Sequence, residues 1–183
     1  GWFADDVSDL HYVGPILVVA VSVVLILLGQ VVTTRISADI LENCDVTAIK
    51  ESAKGIWTNI AVTAALMLTL VAAMLQVDPI EPTGPSVLDE NPEFLVDIQQ
   101  TYVASVVCSF LLNLLSMLLC VVNLSYVEPL TATDAIKFFL DRPDTLGDPI
   151  TLMVVAALLM FVGLVLWLLG TYGMTLVIVA IGM

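Results

Sequence analysis

The chain has 183 residues, of which 60% are hydrophobic, with a mean hydropathy of +1.05 and a formal net charge of −13. Soluble domains are about 45–50% apolar, so an excess gathered into long runs predicts a protein surrounded by lipid rather than water. The balance of 5 Lys and Arg against 18 Asp and Glu excludes a basic surface for nucleic acid and a polybasic segment for anionic lipid.

Four apolar runs follow one another along the chain, and each is long enough to cross the hydrocarbon core. They cover about residues 13–34, 56–77, 102–127 and 150–175. Pro15 stands in the first turn of the first run, where its missing N–H is tolerated, and Pro149 stands just before the fourth. We therefore predict an all-α, polytopic membrane protein in which residues 1–183 form one domain of four transmembrane helices.

The connections between these runs carry most of the polar residues. The loop of residues 78–100 is acidic and rich in proline, and Pro92 near its end predicts a short helix over residues 91–100. Residues 37–54 and 131–140 are amphipathic, and we interpret them as interfacial helices between spans one and two and between spans three and four. The side chains expected to face the membrane in the later segment are Ile136, Phe139 and Leu140.

The basic residues predict the orientation of the chain. All five fall on one side of a four-span arrangement: Arg35, Lys50, Lys54, Lys137 and Arg142. The N-terminal segment and the loop of residues 78–100 carry acidic charges and no lysine or arginine. The positive-inside rule therefore places both termini and this loop on the non-cytoplasmic side, which is extracellular or luminal.

The third span carries a stripe of neutral polar side chains. Its members are spaced 4, 4, 3, 4 and 3 residues apart: Ser105, Ser109, Asn113, Ser116, Cys120 and Asn123. At about 100° per residue they fall within roughly 80° of one another, so they share one face of a helix.

The second and fourth spans carry comparable faces of small or polar side chains at heptad spacing. The face of the second span consists of Thr58, Val62, Ala65, Thr69, Ala72 and Gln76, and that of the fourth of Ala156, Gly163 and Gly170. Small residues let helix backbones approach, and hydroxyl and amide groups hydrogen-bond across the contact, so we interpret the stripes as packing faces. On that interpretation the second-span stripe is expected to be covered by spans one, three or four, whereas a water-filled pore or a pigment site is the alternative.

Residues that would support chemistry are missing from the spans. No Asp, Glu, Lys, Arg or His lies within the four predicted spans, whereas transport and proton-relay sites usually depend on such residues. The sequence also lacks zinc-protease, serine-hydrolase and phosphate-loop motifs, so we predict no enzymatic activity, no metal and no cofactor, and leave bound lipid or pigment as alternatives. The neutral side chains that could ligate such a molecule are His11, Gln30, Asn59 and Asn113.

These observations favour a non-catalytic assembly subunit that packs in the membrane with copies of itself or with other subunits. The first alternative is an oligomeric cation channel, because an acidic outer surface concentrates cations and the second-span stripe could line a path. The second is a pigment- or lipid-binding accessory subunit of a photosynthetic complex. Spans two and three, in which the segment 65–78 leads into the acidic loop, are similar to the first two spans of the Orai calcium channels. Gln76 stands in place of the pore glutamate of that family, and an extra span would precede the matching pair, so the resemblance assigns no family.

Overall fold

The computed structural model describes residues 13–43, 46–76 and 92–172. These residues contain no strand and form five helices: α1 (Val13–Asn43), α2 (Val46–Leu75), α3 (Pro92–Val127), α4 (Ala132–Asp141) and α5 (Asp144–Tyr172). All except α4 are long and apolar enough to cross a membrane. The predicted all-α fold with four transmembrane helices is therefore confirmed, while His11 and most of the acidic loop lie outside the described residues.

The helices extend beyond the apolar runs that define the spans in the sequence. α1 continues to Asn43 and α2 begins at Val46, so the described residues contain no separate interfacial helix between spans one and two. α3 begins at Pro92, as predicted for the helix of residues 91–100, but that helix is continuous with span three. A helix satisfies its backbone hydrogen bonds internally, so it does not have to end where the hydrocarbon ends.

The fourth span also begins earlier than the sequence predicts. α5 starts at Asp144 rather than at Pro149, and it continues without interruption through Gly170. Because proline lacks a backbone donor, Pro149 in the sequence predicts the start of the helix. The helix tolerates Pro149 because the carbonyl of Thr145, which loses that donor, receives hydrogen bonds from other helices.

The centre of the bundle is the pair α3 and α5, which pack against each other more extensively than any other described pair. α2 packs mainly on α3, and α1 contacts both α5 and α3. A methyl group added to Gly14 of α1 would collide with Thr101 of α3, whereas one added to Gly29 would collide with Thr151 of α5. α1 therefore crosses from α3 at one end of the bundle to α5 at the other, with a glycine at each close approach.

The short helix α4 lies between spans three and four, as predicted. Its N-cap is Thr131, whose side-chain oxygen accepts a hydrogen bond from the backbone N–H of Asp134 at 3.3 Å. Phe139 is fully buried, and its ring centroid lies 5.8 Å from that of Trp57 in α2, whereas Leu140 is 62% exposed. The expectation that Phe139 faces the membrane is wrong, because α2 provides the apolar surface that covers its ring.

Lys50 joins α2 to the connection between α3 and α4. Its ammonium group donates to the carbonyl of Glu128 at 3.2 Å and to that of Leu130. Carbonyls at the end of a helix have no helical donor, so a lysine here stabilises the C-terminus of α3. The chain brings every lysine and arginine to this end of the bundle, which we call the basic end; its assignment to the cytoplasm stays a prediction.

Candidate functional site: the polar faces of the bundle

The polar stripe of α3 is buried along its whole length. Ser105, Ser109, Asn113, Ser116 and Cys120 have no exposed surface, and Asn123 is 8% exposed. Because the stripe faces α5 and not the outside of the bundle, we call this contact the α3–α5 seam.

Three members of the stripe donate hydrogen bonds across the seam to backbone carbonyls of α5. The Ser109 hydroxyl donates to the carbonyl of Ala156 at 2.8 Å, and the Ser116 hydroxyl to the carbonyl of Pro149 at 2.7 Å. The Asn123 amide donates to the carbonyl of Thr145 at 3.1 Å. Ser109 and Ser116 are seven residues apart on α3, and their acceptors, Ala156 and Pro149, are seven residues apart on α5. This register is the one expected for two antiparallel helices that contact each other once per heptad.

Small side chains on α5 make this close approach geometrically feasible. Ala156 and Gly163 are buried on the face towards α3, and Gly170 is buried one heptad further on. A Cβ atom added to Gly163 would lie 3.0 Å from the Cγ2 atom of Val106 in α3. The fourth-span stripe is therefore a packing surface where it faces α3, and side chains fill the seam.

The carbonyl of Thr145 connects three helices at the basic end. In a regular helix this carbonyl would accept the N–H of residue 149, which is proline and has none. Two side chains replace the missing donor: the indole N–H of Trp57 from α2 at 3.2 Å, and the amide of Asn123 from α3 at 3.1 Å. The carbonyl that Pro149 leaves without a helical donor thus accepts hydrogen bonds from both α2 and α3.

Two members of the α3 stripe hydrogen-bond within their own helix. Ser105 donates to the carbonyl of Thr101 at 2.8 Å, and the Asn113 amide donates to that of Ser109 at 3.1 Å. The Oδ1 atom of Asn113 is buried and has no hydrogen-bond partner among the described residues. Asn113 is therefore buried in the α3–α5 seam, and its amide bonds to α3 itself rather than to α5.

The stripe of α2 faces outward. Thr58, Val62, Ala65, Thr69 and Gln76 are exposed, and Ala72 is partly exposed. The Thr58 hydroxyl donates to the carbonyl of Lys54 at 2.8 Å, and that of Thr69 to Ala65 at 2.9 Å, both within α2. The expectation that spans one, three or four cover this stripe is wrong, because α2 turns its bulkier apolar face, which includes Trp57 and Val71, towards α3 and α4.

The sequence missed a polar pair between α1 and α5. The amide of Gln30 donates to Asp148 Oδ1 at 3.4 Å, and Asp148 lies inside α5 rather than before the span. The helices extend beyond the apolar runs, and the fourth span therefore includes Asp144 and Asp148. The prediction that the spans contain no ionisable residue holds only for their central parts. The spacing of Asp144 and Asp148 places two carboxylates on one helical face, but no local pattern links them to Gln30, which is 118 residues from Asp148 in the sequence.

The remaining ligand candidates do not converge on a site. Asn59 is exposed on α2, and its side chain makes no hydrogen bond with other described residues. Asn113 lies in the seam and Gln30 contacts Asp148, so the three amides occupy separate parts of the bundle. Within residues 13–43, 46–76 and 92–172, no group of three or more His, Cys, Asp or Glu side chains could hold a metal ion.

Comparison with known proteins adds no family to this geometry. The chain matches no protein-family model, and no curated protein or solved structure is significantly similar to it.

Proposed function

We propose that the chain is a non-catalytic assembly subunit that associates in the membrane with copies of itself through the outward stripe of α2. The observation that carries this proposal is the contrast between two similar stripes. The stripe of α3 is covered by α5, whereas the stripe from Thr58 to Gln76 is left uncovered on a helix that is apolar enough to span the membrane.

The chemistry of the outward stripe suits contact between helices. Its threonine hydroxyls already donate to carbonyls of α2, so they need neither water nor a ligand to satisfy them. Ala65 and Thr69 are small, so another helix backbone can approach closely, and dispersion contacts with a neighbouring helix replace those with lipid. Asn59 lies on the flank of the stripe, and its side-chain amide bonds to no other described residue. This amide gains a hydrogen bond when a second helix supplies an acceptor.

Disulfide cross-linking in native membranes tests this proposal. In a variant whose three cysteines are replaced by alanine, Thr69→Cys is expected to form a covalent dimer on mild oxidation. Val107→Cys is the matched control, because Val107 is also exposed and lies at a similar depth, next to Val106, which packs with Val71. Equal dimer yields from the two variants would contradict assembly through α2.

A cation channel is the second candidate, because a ring of copies also requires Thr69 and Gln76 to point away from the rest of their own chain. In such a ring the two side chains would line a central path, and Lys54 would oppose cations at the basic end. Reconstituted protein is expected to conduct, and Gln76→Lys to lower the cation current, only if this second candidate is correct. Cross-linking through Thr69 without any conductance would favour the assembly subunit.

A further inference from the structure

A cavity of about 530 Å³ lies between α1 and α5 at the basic end of the bundle. It is lined by apolar and charged side chains together: Leu27, Gln30, Val31, Arg35, Asp144 and Asp148. Leu27 and Val31 are each 57% exposed on a membrane-spanning helix, so one wall of the cavity continues into the lipid-facing surface. The cavity is thus amphiphilic, and it lies where the apolar run of α1 ends and its first charge begins.

The frame of this cavity is held by close contacts between the two helices. Gly29 faces Thr151, and Gly147 faces Thr33, so that an added methyl group on either glycine would collide with the opposite threonine. Beside these contacts, the Gln30 amide donates to Asp148 and fixes the direction of that carboxylate. The cavity is therefore formed by backbones and side chains that are positioned before any ligand arrives.

The charges of the cavity do not neutralise one another by direct contact. Arg35 is exposed and makes no ion pair within the described residues, and neither Asp144 nor Asp148 has a basic partner there. One guanidinium and two carboxylates therefore line the same space with room between them. A molecule that carries both a negative and a positive group at short separation would satisfy both signs at once.

We propose that this cavity binds the headgroup of a phosphatidylethanolamine molecule, with its phosphate at Arg35 and its ammonium at Asp144 and Asp148. The apolar wall of Leu27 and Val31 accommodates the start of an acyl chain, which favours a membrane lipid over a soluble phosphate. This site does not depend on the assembly role of α2, because its residues lie on α1 and α5.

The balance of charge predicts which lipids are rejected. With one positive and two negative side chains, the cavity repels a headgroup that is only anionic, such as phosphatidylglycerol. Phosphatidylcholine carries the same net charge as phosphatidylethanolamine, but its trimethylammonium group has no N–H to donate to a carboxylate. A primary ammonium has three such donors, so the preferred order is ethanolamine over choline over glycerol headgroups.

The test is lipid retention by the purified full chain, measured by native mass spectrometry after exposure to mixed micelles of the three lipids with matched acyl chains. The wild-type protein is expected to retain phosphatidylethanolamine about fivefold more than phosphatidylcholine. Asp148→Asn keeps an acceptor for Gln30 but removes the charge, and it is expected to abolish the preference for phosphatidylethanolamine. Asp144→Asn removes a charge at a more exposed position, and it is expected to have the same effect. Arg35→Gln is expected to lower the retention of both phosphocholine and phosphoethanolamine lipids.

Glu51→Gln is the matched control, because Glu51 is an exposed carboxylate of α2 outside the cavity, and it should leave the preference unchanged. Free phosphoethanolamine lacks the acyl chains of the lipid. At the same concentration as the lipid, it is expected not to displace the bound phosphatidylethanolamine. Equal retention of ethanolamine and choline lipids by the wild type, or an unchanged preference in folded Asp144→Asn protein, would overturn the proposal. Displacement of the bound lipid by free phosphoethanolamine would overturn the assignment of this cavity to a membrane lipid.

Discussion

The hydrogen bonds to the Thr145 carbonyl give the sharpest test of how this bundle is held together. Trp57→Phe removes one of its two side-chain donors, and Asn123→Leu removes the other. Pro149→Ala supplies a backbone N–H at the position that normally donates to this carbonyl. If the two side chains replace the donor that proline lacks, the loss of both should destabilise the protein less in the Pro149→Ala background, where the backbone N–H of residue 149 can donate to the carbonyl of Thr145.

The expected magnitude follows from what each variant leaves behind. A single interhelical hydrogen bond in a membrane protein contributes about 0.6 kcal/mol on average, so each single variant loses about that much through this bond, in addition to any change in packing. The double variant leaves a partly buried carbonyl without a side-chain donor, which costs up to about 1–3 kcal/mol. We therefore expect the penalty of the double variant to be about 1–2 kcal/mol smaller in a Pro149→Ala background.

The measurement is the free energy of unfolding in lipid–detergent micelles, compared for the double variant with and without the Pro149→Ala substitution. Packing losses at Trp57 and Asn123 occur in both backgrounds and cancel in the comparison. Ser125→Ala is a suitable control, because Ser125 is exposed and bonds only to its own helix at Val121. Penalties that agree within about 0.5 kcal/mol in the two backgrounds would refute the role assigned to the Thr145 carbonyl.

Other parts of the fold give further expected outcomes. Gly29→Ala should destabilise the chain by about 1–3 kcal/mol through overpacking, whereas Gly55→Ala, which has open space around it, should be neutral or stabilising by up to about 1 kcal/mol in the same unfolding assay. Ser116→Ala should cost about 0.6 kcal/mol and Ser125→Ala close to nothing; equal costs would show that the bond across the seam contributes nothing. A cysteine tag in the loop of residues 78–100 should react only from the side opposite to a tag at the basic end, and labelling of both from one side would contradict the predicted topology.

The number and type of the transmembrane helices follow from the sequence because each depends on local properties. A run of about 20 apolar residues must satisfy its backbone internally in lipid, and only a helix does so within one segment. The spacing of Ser109, Asn113 and Ser116 likewise places them on one face without reference to any other helix. These features depend on residues that are near in sequence, so they could be predicted before the fold was known.

Which faces are covered was decided only by the tertiary structure. The stripes of α2 and α3 have similar small and polar residues, yet Thr69 is exposed and Ser109 is buried. Hydropathy cannot separate them, because in a membrane the apolar side chains gain little from leaving lipid for protein, and contact is decided by shape and hydrogen-bond partners. The acceptors that hold Ser109 and Asn123 are backbone carbonyls of α5. Every residue has such a carbonyl, and although Pro149 indicates that the carbonyl of Thr145 lacks a helical donor, only the packing of α3 on α5 decides which side chain reaches it.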